Sequence, residues 1–180
     1  MNFEFTTDRL LLKVLSRDSA VQVLDFYLHN SDIFENYEPI YTDNFYTVSH
    51  QERILDYEYK QTLNMNLIRY YIFKKDNPTQ IIGTVSFRNI VRPIYSSCTV
   101  GYKMDRDFTN FGYCTEALSF LIPRFCKDMD IHRVEATVLP TNTASMHILE
   151  KLGFVREGLL RDKIMIKNQR MDHFLYSYLY

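Results

Sequence analysis

The stretch NFGYCTEA, Asn110 to Ala117, decides how this chain is read. Just before it, IYSSCTVGYKM (Ile94 to Met104) reads as a strand. Just after it, Leu118, Leu121, Ile122, Phe125 and Met129 recur at helical spacing. A strand that passes through a short loop into a helix leaves the first helical N–H groups without partners, at an end that carries partial positive charge. Such a junction holds anions, phosphate above all. Gly112 permits positive φ and close approach of a ligand to the backbone. A single glycine before a helix is equally an ordinary turn, so the surrounding residues must choose.

Working outward, RLLLKVLS (Arg9 to Ser16) reads as a first strand. Ser16 then offers an N-cap for a helix with Ala20, Val23, Leu24, Tyr27 and Leu28 on one face. The aromatic segment DIFENYEPIYTDNFYT reads as a loop, and a second helix is predicted from Ser49 to about Asn64, with Ile54, Leu55 and Tyr59 or Leu63 inward. LIRYYIFKK, the turn DNPTQ and IIGTVSFRNIV predict a hairpin, followed by the strand Ile94 to Met104. After the helix of about four turns, which Pro123 should kink or distort by one turn, come the strand HRVEATVL and the helix NTASMHILEKLG, stopped by Gly153. FVREGLLRDKIMIKN and RMDHFLYSYLY supply two last strands, joined at about Asn168-Gln169. The order β-α-α-β-β-β-α-β-α-β-β predicts an α/β (α+β) fold, with a mixed, mostly antiparallel sheet of about seven strands flanked by about four helices. The strand–helix–strand portion from Val100 to Leu139 should hold a right-handed crossover.

The 180 residues suit one domain, 1–180, and hydrophobic residues at 46% indicate a packed core. Net charge is −1 and Lys and Arg form no blocks, which argues against a nucleic-acid or anionic-membrane surface. No apolar run approaches the roughly 20 residues that span a bilayer. MNFEFTTDRL does not read as a signal peptide. Cys98, Cys114 and Cys126 are an odd number without CxxC spacing, so a reduced, cytoplasmic protein is expected. The five histidines show no metal-ligand spacing, and no metal is expected. No G-x-S-x-G elbow is present, and Gly83, Gly101 and Gly112 are too scattered for a dinucleotide fingerprint.

GYKMDRDFTNFGYCTEAL, followed by RVEATVLPTNTASMHILEKLGFVREGLLRD, resembles the GNAT superfamily of acyl-CoA N-acyltransferases, and most of all its RimJ/RimL-like branch of ribosomal-protein N-terminal acetyltransferases. The likeness runs from TTDRLLL to DHFLYSYL. It implies a single GNAT-like domain that moves an acetyl group from acetyl-CoA to a primary amine in a ternary complex. A protein or peptide N-terminal α-amine is the expected acceptor. Polyamine or aminoglycoside-type acetylation, or a non-catalytic acyl-CoA-binding module, are the alternatives.

In that family the cofactor's pyrophosphate lies on a Q/R-x-x-G-x-G/A loop, which falls here on Asp107 to Gly112. Asp107 stands in place of Gln or Arg and Asn110 in place of the first glycine, a position where Asn tolerates the left-handed conformation. The resemblance implies cofactor contacts from Tyr102, Met104, Asn110, Phe111, Gly112, Tyr113, Cys114, Thr115, Asn142 and Ser145. The pantetheine arm would lie between the strands near Tyr102 and Val138. Leu149 aligns with the tyrosine that many GNAT enzymes place near the leaving thiolate, whereas the RimJ/RimL-like branch carries N-x-x-S, here Asn142 and Ser145. Those two are the catalytic candidates, and N-cap and first-turn roles would equally explain them. The base is open: family-related sequences have a glutamate at the place of Thr99, and Glu135, His132, Asp162, Asp172 and His173 are the other candidates. Without an obvious strong base an α-amine is favoured, being neutral in roughly a tenth of molecules at pH 7 against about one in 2,500 for a lysine amine. Glu35, Tyr37 and Glu38, with Phe34 and Tyr41, are expected to receive the amine by charge and cation–π contacts. The last strands could support a homodimer.

Overall fold

Residues 2–39 and 41–180 are described by a computed structural model, so Ile40, inside the predicted aromatic loop, lies outside the described residues. Among the described residues there are eight strands and four α-helices. In chain order they are β1 (Glu4–Thr6), β2 (Leu10–Lys13), α1 (Ala20–Phe34), α2 (Val48–Leu63), β3 (Ile68–Lys74), β4 (Asn77–Val91), β5 (Ser97–Met104), α3 (Tyr113–Met129), β6 (Arg133–Val138), α4 (Thr143–Lys151), β7 (Val155–Ile166) and β8 (Gln169–Leu179). They form one sheet of order β1-β2-β3-β4-β5-β6-β8-β7. Every neighbouring pair is antiparallel except β5 with β6, the parallel pair that α3 connects.

Alternation along the strands assigns the two faces. Leu10 and Leu12, Ile68, Tyr70 and Ile72, Val85 and Phe87, and Val134, Ala136 and Val138 join one cluster with Leu118, Leu121, Ile122 and Phe125 of α3. Phe87 stacks on Phe125 at 3.9 Å between ring centres. On the opposite face Tyr71, Phe73 and Ile81 pack with Val23, Phe26, Tyr27 and Leu55 of α1 and α2. The sheet is therefore a central layer, with α3 and α4 on one side and α1 and α2 on the other.

Several expectations need correction. The first strand is a hairpin partner: β1 precedes it and pairs Glu4–Thr6 with Leu11–Lys13, which raises the count to eight. A short 3₁₀ turn at Arg17–Ser19 follows Ser16, so α1 starts from Ser19. Helix α1 then continues through Asp32–Phe34, because Phe34 buries itself against Phe26 and Tyr27. The buried stripe of α2 is Gln51, Leu55, Glu58 and Thr62, while Tyr59 and Leu63 face water. The hairpin turn is Lys75-Asp76, and Pro78 lies in an irregular stretch of β4 between the pairs Lys74–Asn77 and Phe73–Ile81, where its missing N–H removes no ladder bond. β5 begins only at Ser97; Ile94 and Tyr95 are exposed. Helix α3 spans 17 residues with Pro123 inside it. The final turn is Lys167-Asn168, both with positive φ, one residue earlier than expected. Gly153 (φ +86°) does terminate α4: its N–H reaches the Glu150 carbonyl, and the Phe154 N–H reaches that of Leu149.

Candidate active site

A strand pair that stops pairing leaves main-chain groups and a gap. β5 and β6 pair only from Ser97 to Thr99 with Arg133 to Glu135, and then part. A cavity of about 360 Å³ opens there, lined by Val100–Lys103 on one side and Ala136–Leu139 on the other. Alternation sends Tyr102 toward the α3 face and Gly101 and Lys103 toward the α1 face, so the cavity is reached from both layers.

On the α3 face, the Tyr102 hydroxyl lies 2.8 Å from Ser145 Oγ and 3.2 Å from the Ser145 carbonyl oxygen. The Ser145 N–H donates to Asn142 Oδ1 at 3.1 Å, so Asn142 is the N-cap of α4 and also lines the cavity. Burial pushes the Tyr102 phenol above its ordinary value, more than the Ser145 hydrogen bond lowers it, so the hydroxyl keeps its proton at neutral pH. Leu149 is fully buried in the core.

The loop into α3 has the conformation that Asn110 suggested: Asn110 has φ +65° and Gly112 φ +78°. No side chain caps α3, and its first bond runs from the Glu116 N–H to the Gly112 carbonyl. The N–H groups of Tyr113, Cys114 and Thr115 come before that bond and have no helical acceptor. Asp107 turns from the loop toward α1, where His29 Nε2 lies 2.8 Å from its carboxylate. The loop is pinned at both ends. Asn30, buried in α1, donates to Asp105 and accepts the Arg106 N–H, and Asp105 accepts the Asp107 N–H. At the other end Glu116 accepts from Thr7 Oγ1, the Arg9 N–H and Arg9 Nε, while Arg9 Nη1 donates to the Phe111 carbonyl and its guanidinium lies 4.6 Å from the Tyr113 ring centre. Burial raises the Glu116 carboxyl, but these hydrogen bonds and the Arg9 charge outweigh it and hold it below its ordinary value. Cys114 points into the core, so only its main chain can serve the loop, and burial lifts its thiol to about 12. Phe111 is exposed and stacks on Tyr113. Met104 packs on the core and is not part of the cavity wall.

On the α1 face the wall is ionic. Lys103 Nζ lies 2.6 and 2.7 Å from the two oxygens of Glu38 and 4.9 Å from the ring centres of Tyr27 and Phe34. Burial raises the Glu38 carboxyl; Lys103, the Tyr41 hydroxyl and Arg69 outweigh this, and it stays below its ordinary value. Arg69, another wall residue, pairs with Glu58 at 3.0 Å and donates to the Tyr27 hydroxyl. Tyr37 and Glu38 line the cavity, and Glu35 does not. Of the base candidates only His173 lines it. Its Nδ1 lies 3.0 Å from the Met171 carbonyl; a carbonyl only accepts, so Nδ1 carries hydrogen and neutral His173 presents a bare Nε2. Glu135 is held by Arg133, His132 by the Tyr180 carbonyl, and Asp172 accepts the Asp162 N–H.

Sequence reading missed Arg9, Arg69, Arg88 and Lys103. Thr84, Ser86 and Arg88 alternate with Val85 and Phe87, and a polar face on a central strand was the available signal. The Arg9–Glu116 contact spans 107 positions and left none.

The acetyltransferase (GNAT) domain family matches residues 9–155. The chain is 30% identical to the [ribosomal protein uS5]-alanine N-acetyltransferase of Escherichia coli over 173 residues, 94% of this chain and 87% of that one. It is likewise 30% identical to the probable N-acetyltransferase YjcK of Bacillus subtilis, covering 91% of this chain and 90% of that protein. The ribosomal-protein-S5-alanine acetyltransferase structure from Vibrio fischeri superposes with a TM-score of 0.93 at 25% identity, over 99% of this chain and 97% of the other. With the family match over residues 9–155 and these relatives covered over most of their length, the chain belongs to the GNAT acetyltransferase family and is an acetyl-CoA-dependent N-acetyltransferase.

Proposed function

We propose that the protein acetylates the α-amine of a protein or peptide N-terminus, in a ternary complex assembled across the cavity between β5 and β6. The observation that carries this reading is the cavity itself, with a hydroxyl pair on its α3 face and a lone ring nitrogen on its α1 face. The main-chain N–H groups from Asn110 to Thr115 hold the pyrophosphate, helped by the charge at the α3 end. Tyr102, Asn142 and Ser145 line the arm, whereas Met104 and the Cys114 side chain serve the core. Acetyl-CoA, when bound, supplies the acyl group as an activated thioester.

The chain's own residues then have distinct tasks. N–H groups of β5 beyond Thr99, released from the ladder, donate to the carbonyl oxygen and stabilise its growing charge. Nε2 of His173 takes the proton that the amine loses as the C–N bond forms. Ser145 Oγ donates a proton to the sulfur as the C–S bond breaks and recovers one from the Tyr102 hydroxyl 2.8 Å away; Tyr102 is reprotonated from water, which takes up the proton that His173 releases, so amide and thiol are the net products. Tyr37 and Glu38 form the acceptor wall. A weak base suits an α-amine, which is far more often neutral than a lysine amine near pH 7. A polyamine or aminoglycoside would bring several positive charges to a wall whose one carboxylate already pairs with Lys103. The three buried thiols fit a reducing, cytoplasmic setting.

The test compares matched acceptors by mass spectrometry: a peptide with a free N-terminal Ala or Ser, the same peptide blocked at the amine but carrying Lys, spermidine and an aminoglycoside. Acetylation confined to the free N-terminus is expected. Preferential acetylation of the polyamine or antibiotic would replace this reading.

A further inference from the structure

The charges around the cavity do not cancel. Among the described residues the ions on its wall are Glu38, Arg69, Arg88 and Lys103. Lys103 is balanced by Glu38, and Arg69 by Glu58 just behind it. Arg88 has no acidic partner among the described residues, which leaves the wall with one positive charge in excess.

Arg88 is exposed, and its guanidinium lies beside the split between β5 and β6. It sits on β4 opposite Thr99, the last β5 residue paired with β6. A Cβ on Gly101 would lie 3.3 Å from Arg88 Nη2 and 3.7 Å from its Cζ, so the guanidinium rests over the Gly101 backbone at the mouth of the split. The absent side chain at Gly101 is what makes room. Val85 and Phe87 face α3, so Arg88, with Thr84 and Ser86, faces the other way, toward the acceptor side and away from the helix end that suits pyrophosphate. His173 faces the same side. Arg88 and His173 thus flank the place where an amine would lose its proton.

We infer that Arg88 is a specificity site for an anionic group carried by the acceptor close to its amine, a carboxylate in the first instance. This rests on the N-acetyltransfer reading of the same cavity. Guanidinium binds carboxylate through paired, charge-assisted N–H donors. The carboxylate could be the α-carboxylate of a free amino acid or an acidic side chain early in a peptide. The partner chemistry is the same, and only its distance from the amine differs.

The experiment uses isosteric pairs: alanine against alaninamide, and peptides beginning Ala-Asp or Ala-Glu against Ala-Asn or Ala-Gln. Wild type and Arg88→Gln are compared in kcat/KM, and acetyl-CoA affinity is measured for both. In the wild type the acidic member of one pair is preferred by about tenfold, the scale of a charge-assisted contact, and the pair showing it identifies the carboxylate. In Arg88→Gln the preference falls to within about twofold through KM, while kcat on the neutral acceptor and acetyl-CoA affinity hold. Equal use of acidic and neutral acceptors by the wild type overturns the inference. So does a preference that survives Arg88→Gln, or a loss of acetyl-CoA affinity, which would assign the guanidinium to the cofactor. Calorimetry with the corresponding N-acetylated products in the presence of CoA decides the matter without turnover. Acid-selective binding lost in Arg88→Gln keeps the site even if no α-amine is acetylated, an outcome that would sink the functional reading alone; unselective binding sinks the site.

Discussion

The two mouths of the cavity are made of different material. On the α3 side lie two hydroxyls, Tyr102 and Ser145, and beyond them the open end of α3 with its unpartnered main-chain N–H groups, held by contacts that side chains make from behind. On the α1 side are charged side chains: Lys103 of β5 and Arg69 of β3 answer Glu38 and Glu58, while Arg88 of β4 has no acidic partner among the described residues. A main-chain site tolerates substitution so long as the path of the backbone survives, so on the proposed reading Asn110 and Asp107 need not disable the loop. A site made of ion pairs has no such slack, since removing one member strands the other.

Substitutions can break that contrast. The largest effect is expected for Ser145→Ala. General-acid assistance is worth roughly 10²-fold or more, so single-turnover acetyl transfer should drop by about that factor with acetyl-CoA affinity unchanged; an unaltered rate would remove Ser145 from the chemistry. Next is Gly112→Val. A β-branched residue at φ +78° is strained by about 1–3 kcal/mol, and calorimetry should show at least a tenfold loss of acetyl-CoA affinity. Undiminished affinity would mean that the loop is only a turn.

Glu38→Gln probes the ionic side. It leaves Lys103, whose side chain is only 13% exposed, without its carboxylate. An unpaired group of that kind costs about 1–3 kcal/mol, and at about 2–4 °C per kcal/mol a chain of this size should melt several degrees lower. Glu35→Gln, outside the cavity, should change neither melting nor KM. The Glu38 carboxyl is held below its ordinary value, so its contribution is complete above about pH 4.3, the unperturbed value. That contribution is lost as pH falls through the depressed folded value. The melting difference between wild type and Glu38→Gln should therefore shrink in acid, and a gap independent of pH would contradict the pairing. The smallest effect is expected for Arg9→Ala. Exposed pairs contribute about 0.2–1 kcal/mol, which predicts a loss of acetyl-CoA affinity of about fivefold at most, with kcat retained. A larger loss would show that the guanidinium touches the cofactor itself.

The sequence showed the strand-loop-helix core, the stripe of α3 and the cap and stop of α4, because these are set within a few residues of each other. It did not show β1, which has three residues and is defined by its partner. Pro78 was read as turn because an irregularity in a ladder is a property of two strands, visible in neither alone. The same limit explains the site. Asn110, Gly112, Asn142 and Ser145 announced themselves locally, whereas the Lys103–Glu38 and Arg9–Glu116 contacts join positions 65 and 107 apart. Glu38 looked available for a cation since nothing nearby in the chain claims it; the fold supplies the claimant.

The short seam between β5 and β6 has a mechanical consequence. Three residue pairs, Ser97–Thr99 with Arg133–Glu135, stitch a five-stranded plate to a three-stranded one. Breathing of the molecule should concentrate at that stitch. Amides of β5 beyond Thr99 that face away from β4 should exchange with deuterium much faster than those of β3 and β4. A ligand lying across both plates would act as the missing stitches, so exchange along this edge reports occupancy without any chemistry having to occur.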